Sequence, residues 1–159
     1  MTMLEVRRAE AEDVETLLAI QREAAVDAFA HVFPSERYPF PDDEIRAGWA
    51  AALSDPEIEV YLAESDGRPV GSVSVGDEYL RTLYVRPDYQ GRGFGAALHD
   101  LALERLRARG VPRAKLWTLE ENHDGRRFYE RRGWRLTDET RIVPFPPHPV
   151  DLQYERLLD

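Results

Sequence analysis

Leu83-Tyr84-Val85-Arg86-Pro87-Asp88-Tyr89-Gln90-Gly91-Arg92-Gly93-Phe94-Gly95 is the stretch that organises the reading of this 159-residue chain. An apolar run ends at Val85, a proline-bearing loop follows, and glycines stand at alternate positions 91, 93 and 95 where a helical period begins. Glycine lets a backbone approach a ligand closely. The first amides of the following helix lack acceptors in their own helix and carry partial positive charge. Loop and helix start together form an anion cradle suited to a phosphate or pyrophosphate, with Arg92 as a candidate charge-assisted contact. A tight turn alone needs one or two of these glycines, not three. The common nucleotide fingerprints do not fit. No GxxxxGK[ST] occurs, and the GxGxG spacing follows a late strand rather than opening on a first one.

Downstream, Gly93 to Arg109 reads as a helix with Leu98, Leu101, Ala102 and Leu106 facing inward, and Gly110-Val111-Pro112 stops it. Ala114 to Leu119 is apolar enough for a central strand. Residues 78–119 therefore make a strand, loop, helix, strand crossover, which places two strands parallel. Upstream the period is two. Glu59 to Ser65, Pro69 to Gly76 and Glu78 to Val85 form a meander, turned first at Asp66-Gly67. A strand at Leu4 to Arg8 and a helix from Ala11 to Ala30 precede it. Residues 32–42 form a loop of prolines and aromatics, and Asp42 is placed to cap a helix from Asp43 to Leu53. After the crossover come a short helix, Asp124 to Arg132, and strands at Trp134 to Val143 and Val150 to Leu157. The expectation is one α/β (α+β) domain over residues 1–159: a mixed, mostly antiparallel seven-stranded sheet with helices on both faces.

Composition narrows the function. No cysteine is present, which excludes a disulfide framework, a thiolate metal site and a cysteine nucleophile. The four histidines share no ligand-like spacing, so no metal is expected. The net charge of −9 argues against nucleic acid as a partner. No apolar run reaches membrane-spanning length, and the N-terminal residues lack the apolar core of a signal peptide, so the expected location is cytoplasmic. Residues 1–78 carry 18 acids against 6 bases, a balance of −12, while residues 79–159 carry 12 against 15, a balance of +3. A solvated acidic surface explains this as well as a preference for cations does. The second reading makes the ligand of the N-terminal half cationic, with Phe33, Tyr38 and Phe40 as cation–π partners.

The residues from Leu83 to Gly95 resemble the acetyl-CoA-binding motif of the GNAT superfamily of N-acetyltransferases: an apolar strand ending in V-x-P, then Q/R-x-x-G-x-G/A opening a helix. Gln90, Gly93 and Gly95 fill the fixed positions. Phe128-Tyr129-Glu130-Arg131-Arg132-Gly133-Trp134 resembles the family's F-Y-E-x-x-G-F, and Asn122 follows a strand as it does there. The resemblance covers nearly the whole chain. It implies acetyl-CoA as co-substrate, with pantetheine against the main chain of Leu83, Tyr84 and Val85. The pyrophosphate then lies on the amides of Gln90, Gly91, Arg92, Gly93, Phe94 and Gly95. It implies direct attack by a primary amine on the thioester, the Val85 amide facing the oxyanion, and Tyr129 as the acid for the departing thiolate. Asn122 either caps the short helix or bonds the pantetheine amides. The base does not transfer cleanly, because Tyr79 stands where many relatives carry glutamate. Glu78, acting through water, is the candidate; Asp77 and His31 are others.

Two other readings stay open at this stage. One is an acyl-CoA-binding module of the same fold without turnover. The other is an interaction protein with no cofactor, using the acidic half as its partner face. The acceptor is a small-molecule or peptide amine. Homodimers are common in the family, and the aromatic, proline-rich segments 32–42 and 144–149 are the candidate interface.

Overall fold

The structure is a computed structural model and describes residues 4–159. Its strands are β1 (Leu4–Arg8), β2 (Ile58–Ser65), β3 (Arg68–Gly76), β4 (Tyr79–Val85), β5 (Arg113–Leu119), β6 (Arg135–Ile142) and β7 (Val150–Leu157). They form one seven-stranded sheet in the order β1-β2-β3-β4-β5-β7-β6. Every neighbouring pair is antiparallel except β4 and β5. The helices are α1 (Val14–Ala28), α2 (Asp42–Ser54), α3 (Phe94–Ala108) and α4 (His123–Glu130). At the β2–β3 turn Asp66 and Gly67 both have positive φ, as a tight two-residue hairpin requires.

Two cores clamp the sheet. On one face α1 and α2 bury Leu17, Ile20 and Trp49 against Val60 and Leu62 of β2. On the other, α3 buries Leu98, Ala102 and Leu106 against Val73, Leu80 and Leu116. Leu101, expected inward, is only half-buried at the edge of that core. Asp42 does not cap α2. The helix begins at Asp42 itself, and its carboxylate pairs instead with Arg22 of α1 at 2.9 Å.

The parallel crossover creates the opening. β4 and β5 are paired only at Tyr79 and Lys115, where the Lys115 amide donates to the Glu78 carbonyl at 2.9 Å. Beyond that point a cavity opens between the strands. The cause lies in β4. Ser74 and Val75 of β3 face Thr82 and Leu80, so Arg81 is an extra residue on β4. A bulge of this kind bends its strand and increases its twist.

One buried histidine gives the core a pH dependence. The Trp134 indole N–H donates to Nε2 of His99 at 3.0 Å. An indole only donates, so Nε2 accepts and the proton sits on Nδ1, facing Asp100. Burial pushes the His99 pKa below its ordinary value. The unfolded chain therefore takes up a proton near pH 6.5, before the folded one does, and stability falls as pH drops through that window. His99→Gln keeps an acceptor for Trp134 and cannot titrate. Melting temperature followed from pH 7.5 to 5 should fall less steeply for the variant; equal slopes would remove His99 from the account.

Candidate active site

Three cavities follow one another through the opening. The first, about 910 Å³, lies on the α3–α4 side and touches Gln90, Gly93, Gly95, Asn122 and Tyr129. The second, about 320 Å³, lies between the parted strands, walled by Leu83 and Tyr84 on β4 and Trp117 and Leu119 on β5. The third, about 640 Å³, lies beneath α1 and the loop after it, among Phe29, Phe33, Tyr38, Phe40 and Phe145. Tyr129 borders the first and second, and Tyr84 and Asp151 border the second and third.

The first cavity ends on the start of α3. Gly93 caps that helix at φ +84 and has no side chain to occupy the amides. The first helical bond there runs from Ala97 N–H to the Gly93 carbonyl at 3.1 Å, so the amides of Phe94, Gly95 and Ala96 have no acceptor in their helix. α4 is the contrast. Its cap, Asn122, accepts from the Gly125 amide at 3.1 Å and donates to Thr118 Oγ1 at 2.9 Å. The capping role of Asn122 is thus present, and its amide retains one free hydrogen. Gln90 donates to the Val85 carbonyl at 3.1 Å, fixing the loop to the strand end. Phe94 is buried in the core, so only its main chain faces the cradle. The Arg92 guanidinium lies 5.0 Å from the centre of the Tyr89 ring, outside the cavity wall.

Strand geometry frees the right amides. Arg86 N–H donates to Val70 of β3 at 2.8 Å. Amides two residues apart share an edge of a strand, so Tyr84 also faces β3. The amides of Leu83 and Val85 then point toward the parted β5 side. Side chains alternate as well. Leu83 and Val85 border the first cavity, whereas the Tyr84 phenol points the opposite way, toward α1 and the third.

Tyr129 packs its ring edge-on to Phe128 and Trp134, with centroids 5.3 and 6.0 Å away. Among the described residues its hydroxyl has no hydrogen-bond partner. Burial, and secondarily the Tyr84 phenol, push its pKa well above the usual tyrosine value. Burial, and then Asp151, push Tyr84 up to about 12. Both phenols are protonated donors at neutral pH.

Glu78 is not brought to this site. It precedes β4, at the closed end of the opening, about 20 Å of strand from Val85. Its carboxylate pairs with Lys115 Nζ at 3.1 Å and borders none of the three cavities. The pairing holds the strands together where they meet. Asp77 is in the turn before it, at φ +52. His31 Nε2 donates to the Glu121 carbonyl at 3.0 Å, on the first cavity rather than the aromatic one. The segments 32–42 and 144–149 come together as walls of the third cavity.

Sequence reasoning missed Asp151 and Arg141. They are partners across β6 and β7, on the sheet face toward α1. Arg141 Nε donates to Asp151 Oδ2 at 3.0 Å, and its guanidinium lies 4.5 Å from the centre of the Trp117 ring.

Residues 19–134 match the Acetyltransferase (GNAT) family. The chain is 31% identical over 152 residues to the peptidyl-lysine N-acetyltransferase YjaB of Salmonella typhimurium, covering 93% of this chain and 95% of that one. It is 34% identical over 119 residues to the mycothiol acetyltransferase of Beutenbergia cavernae, covering 69% of this chain but 39% of that longer one. In fold it resembles the PaiA N-acetyltransferase of Thermoplasma acidophilum, solved in complex with coenzyme A, at TM-score 0.76 and 21% identity over 98% of this chain and 99% of that chain. With the parted strands, the open helix start and these relatives in agreement, the chain belongs to the GNAT acetyltransferase family and is an acyltransferase.

Proposed function

We propose that this protein transfers the acetyl group of acetyl-CoA to a primary amine by direct attack. The observation that carries the reading is the row of cavities, with an anion cradle at one end, an aromatic chamber at the other and Tyr129 at the narrow passage between. The pyrophosphate fits the cradle because the amides of Phe94, Gly95 and Ala96 lack acceptors in their helix. Pantetheine fits along the outward amides of Leu83 and Val85 and the remaining hydrogen of Asn122. The relatives' names, which specify peptidyl-lysine and mycothiol, leave the acceptor of this chain open.

The acceptor ammonium gives one proton to water in the open chamber, and its nitrogen forms a bond to the thioester carbon. The Val85 amide donates to the developing oxyanion. The carbon–sulfur bond breaks, and the thiolate takes the Tyr129 proton, which solvent replaces. The new amide nitrogen sheds its extra proton. The net products are amide, CoA thiol and one proton. No cysteine exists to form an acyl-enzyme.

Gly93→Asn tests the cradle. Asparagine tolerates positive φ better than other side chains. A Cβ at residue 93 meets no protein atom within 4 Å, so the added group extends into the open space of the cradle. Calorimetry should show acetyl-CoA affinity lowered about tenfold or more with melting little changed. Unchanged affinity would move the pyrophosphate elsewhere.

A further inference from the structure

Behind the passage, the aromatic chamber meets the second cavity at a buried aspartate, whose half-exposed arginine partner lies on the second-cavity side. Phe29, Phe33, Tyr38, Phe40 and Phe145 line the body of the third cavity. The Asp151 side chain is 12% exposed and borders both the second and third cavities. Arg141 borders the second. Its Nε is held by Asp151 and its plane lies over Trp117, while its two terminal nitrogens have no hydrogen-bond partner among the described residues. Asp151 likewise uses one oxygen for Arg141 and leaves Oδ1 without a hydrogen-bond partner among the described residues.

This arrangement bears on the charge of the acceptor. The acidic balance of the N-terminal half suggests a cation. At the inner end of the chamber, however, the Asp151 charge is already met by Arg141. A bare ammonium placed there gains from Asp151 and loses to Arg141. A molecule carrying an ammonium and a carboxylate on one carbon meets both charges favourably. Its third substituent then points into the aromatic wall, and a ring stacks there. The cavity volume of about 640 Å³ accommodates a side chain of indole size.

Resting on the acetyltransferase reading above, we propose that the acceptor is a free aromatic α-amino acid. Asp151 receives its ammonium, Arg141 its carboxylate and the Phe29–Phe145 wall its ring. The nitrogen is thereby held where the second cavity meets Tyr129 and the thioester. Arg141 and Asp151 are specificity residues that touch the substrate. Tyr84, protonated between them and Tyr129, is a further donor on the same wall.

The test compares L-phenylalanine and L-tryptophan with phenethylamine, tryptamine, L-phenylalanine amide and Nα-acetyl-lysine amide, following CoA thiol release. The chain has no thiol of its own to interfere. Loss of a charge-assisted contact to arginine predicts kcat/KM about tenfold or more higher for the amino acids than for their carboxylate-free analogues. In Arg141→Gln the ratio should fall to about one or invert, because Asp151 is then uncompensated and favours cations. Arg141→Lys should restore part of it. Equal or better turnover of phenethylamine or the lysine derivative by the wild type overturns the proposal, as does a ratio unmoved in Arg141→Gln. Acetyl-CoA titrated alone by calorimetry separates the two readings. If it binds and none of the amino acids is acetylated, only the acceptor assignment fails; if it does not bind, the acetyltransferase reading of the cradle fails with it.

Discussion

Tyr129→Phe lowers kcat and kcat/KM together, by about 10²–10⁴-fold at pH 7, while acetyl-CoA affinity and melting temperature stay close to wild type. The substitution removes one oxygen from a ring whose packing against Phe128 and Trp134 is edge-on carbon contact. No hydrogen bond inside the protein is lost, because the hydroxyl makes none among the described residues. What is lost is a donor at the passage between the first cavity and the parted strands. A buried phenol is a reluctant acid, since burial raises its pKa. The defect should shrink as pH rises toward the ordinary thiol pKa of about 8.5, where the thiolate departs more readily without help. Profiles of kcat against pH for both proteins, with the best amine acceptor, check this. A variant keeping more than half its rate at pH 7 would show that the reaction needs no acid from Tyr129. A variant that melts much earlier would make the residue a packing element.

The meander, the parallel crossover and the open helix start were legible because local signals carried them. Alternation set β2, β3 and β4, the glycines set the start of α3, and short connections allowed few topologies. Glu78 lies away from the three cavities for a reason that sequence spacing hides. Closeness to Tyr79 along the chain says nothing about which end of β4 faces the opening, and the bulge at Arg81 that parts the strands has no signature in the residues. Asp42 misled as a cap. A helix-capping residue type lies where the chain starts to turn, but Arg22 of α1 competes for it.

Asp151 and Arg141 were invisible for a different reason. In Val150–Leu157 the residues Val150, Leu152 and Tyr154 alternate with Asp151, Gln153 and Glu155, and alternation of that kind normally means one wet face. Here Asp151 and Gln153 are buried as well, Asp151 against the second and third cavities and Gln153 beside Thr137 of β6 and Tyr79 of β4, to which it is hydrogen-bonded. The polar face becomes the floor of a chamber. Phe29 follows the same logic: it continues the apolar period of α1 but packs into the chamber wall rather than the core.

Glu59→Ala lowers the melting temperature by about 6–12 °C, from a loss of about 3 kcal/mol. The Glu59 side chain is 8% exposed and ties β2 to the end of α3. Its oxygens accept from Arg105 Nε and Arg109 Nε, each at 2.8 Å, and from the Tyr61 hydroxyl at 2.6 Å. Removing one partner of a buried pair costs about 3–5 kcal/mol, and the lower end applies because the arginines keep contact with water. Acid should reveal the same interaction. Burial pushes the carboxyl up, but the bonds from Tyr61, Arg109 and Arg105 outweigh it and hold the pKa at about 2, against 4.5 unperturbed. The unfolded chain is protonated near 4.5 while the folded one is not, so this stability is complete above that pH and is lost as pH falls toward 2. Asp13, lowered by Arg7, contributes in the same direction, so Glu59→Gln should flatten the acid limb without abolishing it. Denaturant unfolding between pH 6 and 3 measures the difference. Parallel curves for Glu59→Gln and wild type would mean that the carboxyl titrates alike in the folded and unfolded chains and that the arginine contacts add no stability. Glu59 borders none of the three cavities, so turnover per folded molecule should be unchanged in either variant. A fall in kcat at a temperature where the variant is fully folded would instead tie the β2–α3 anchor to the position of the α3 amides.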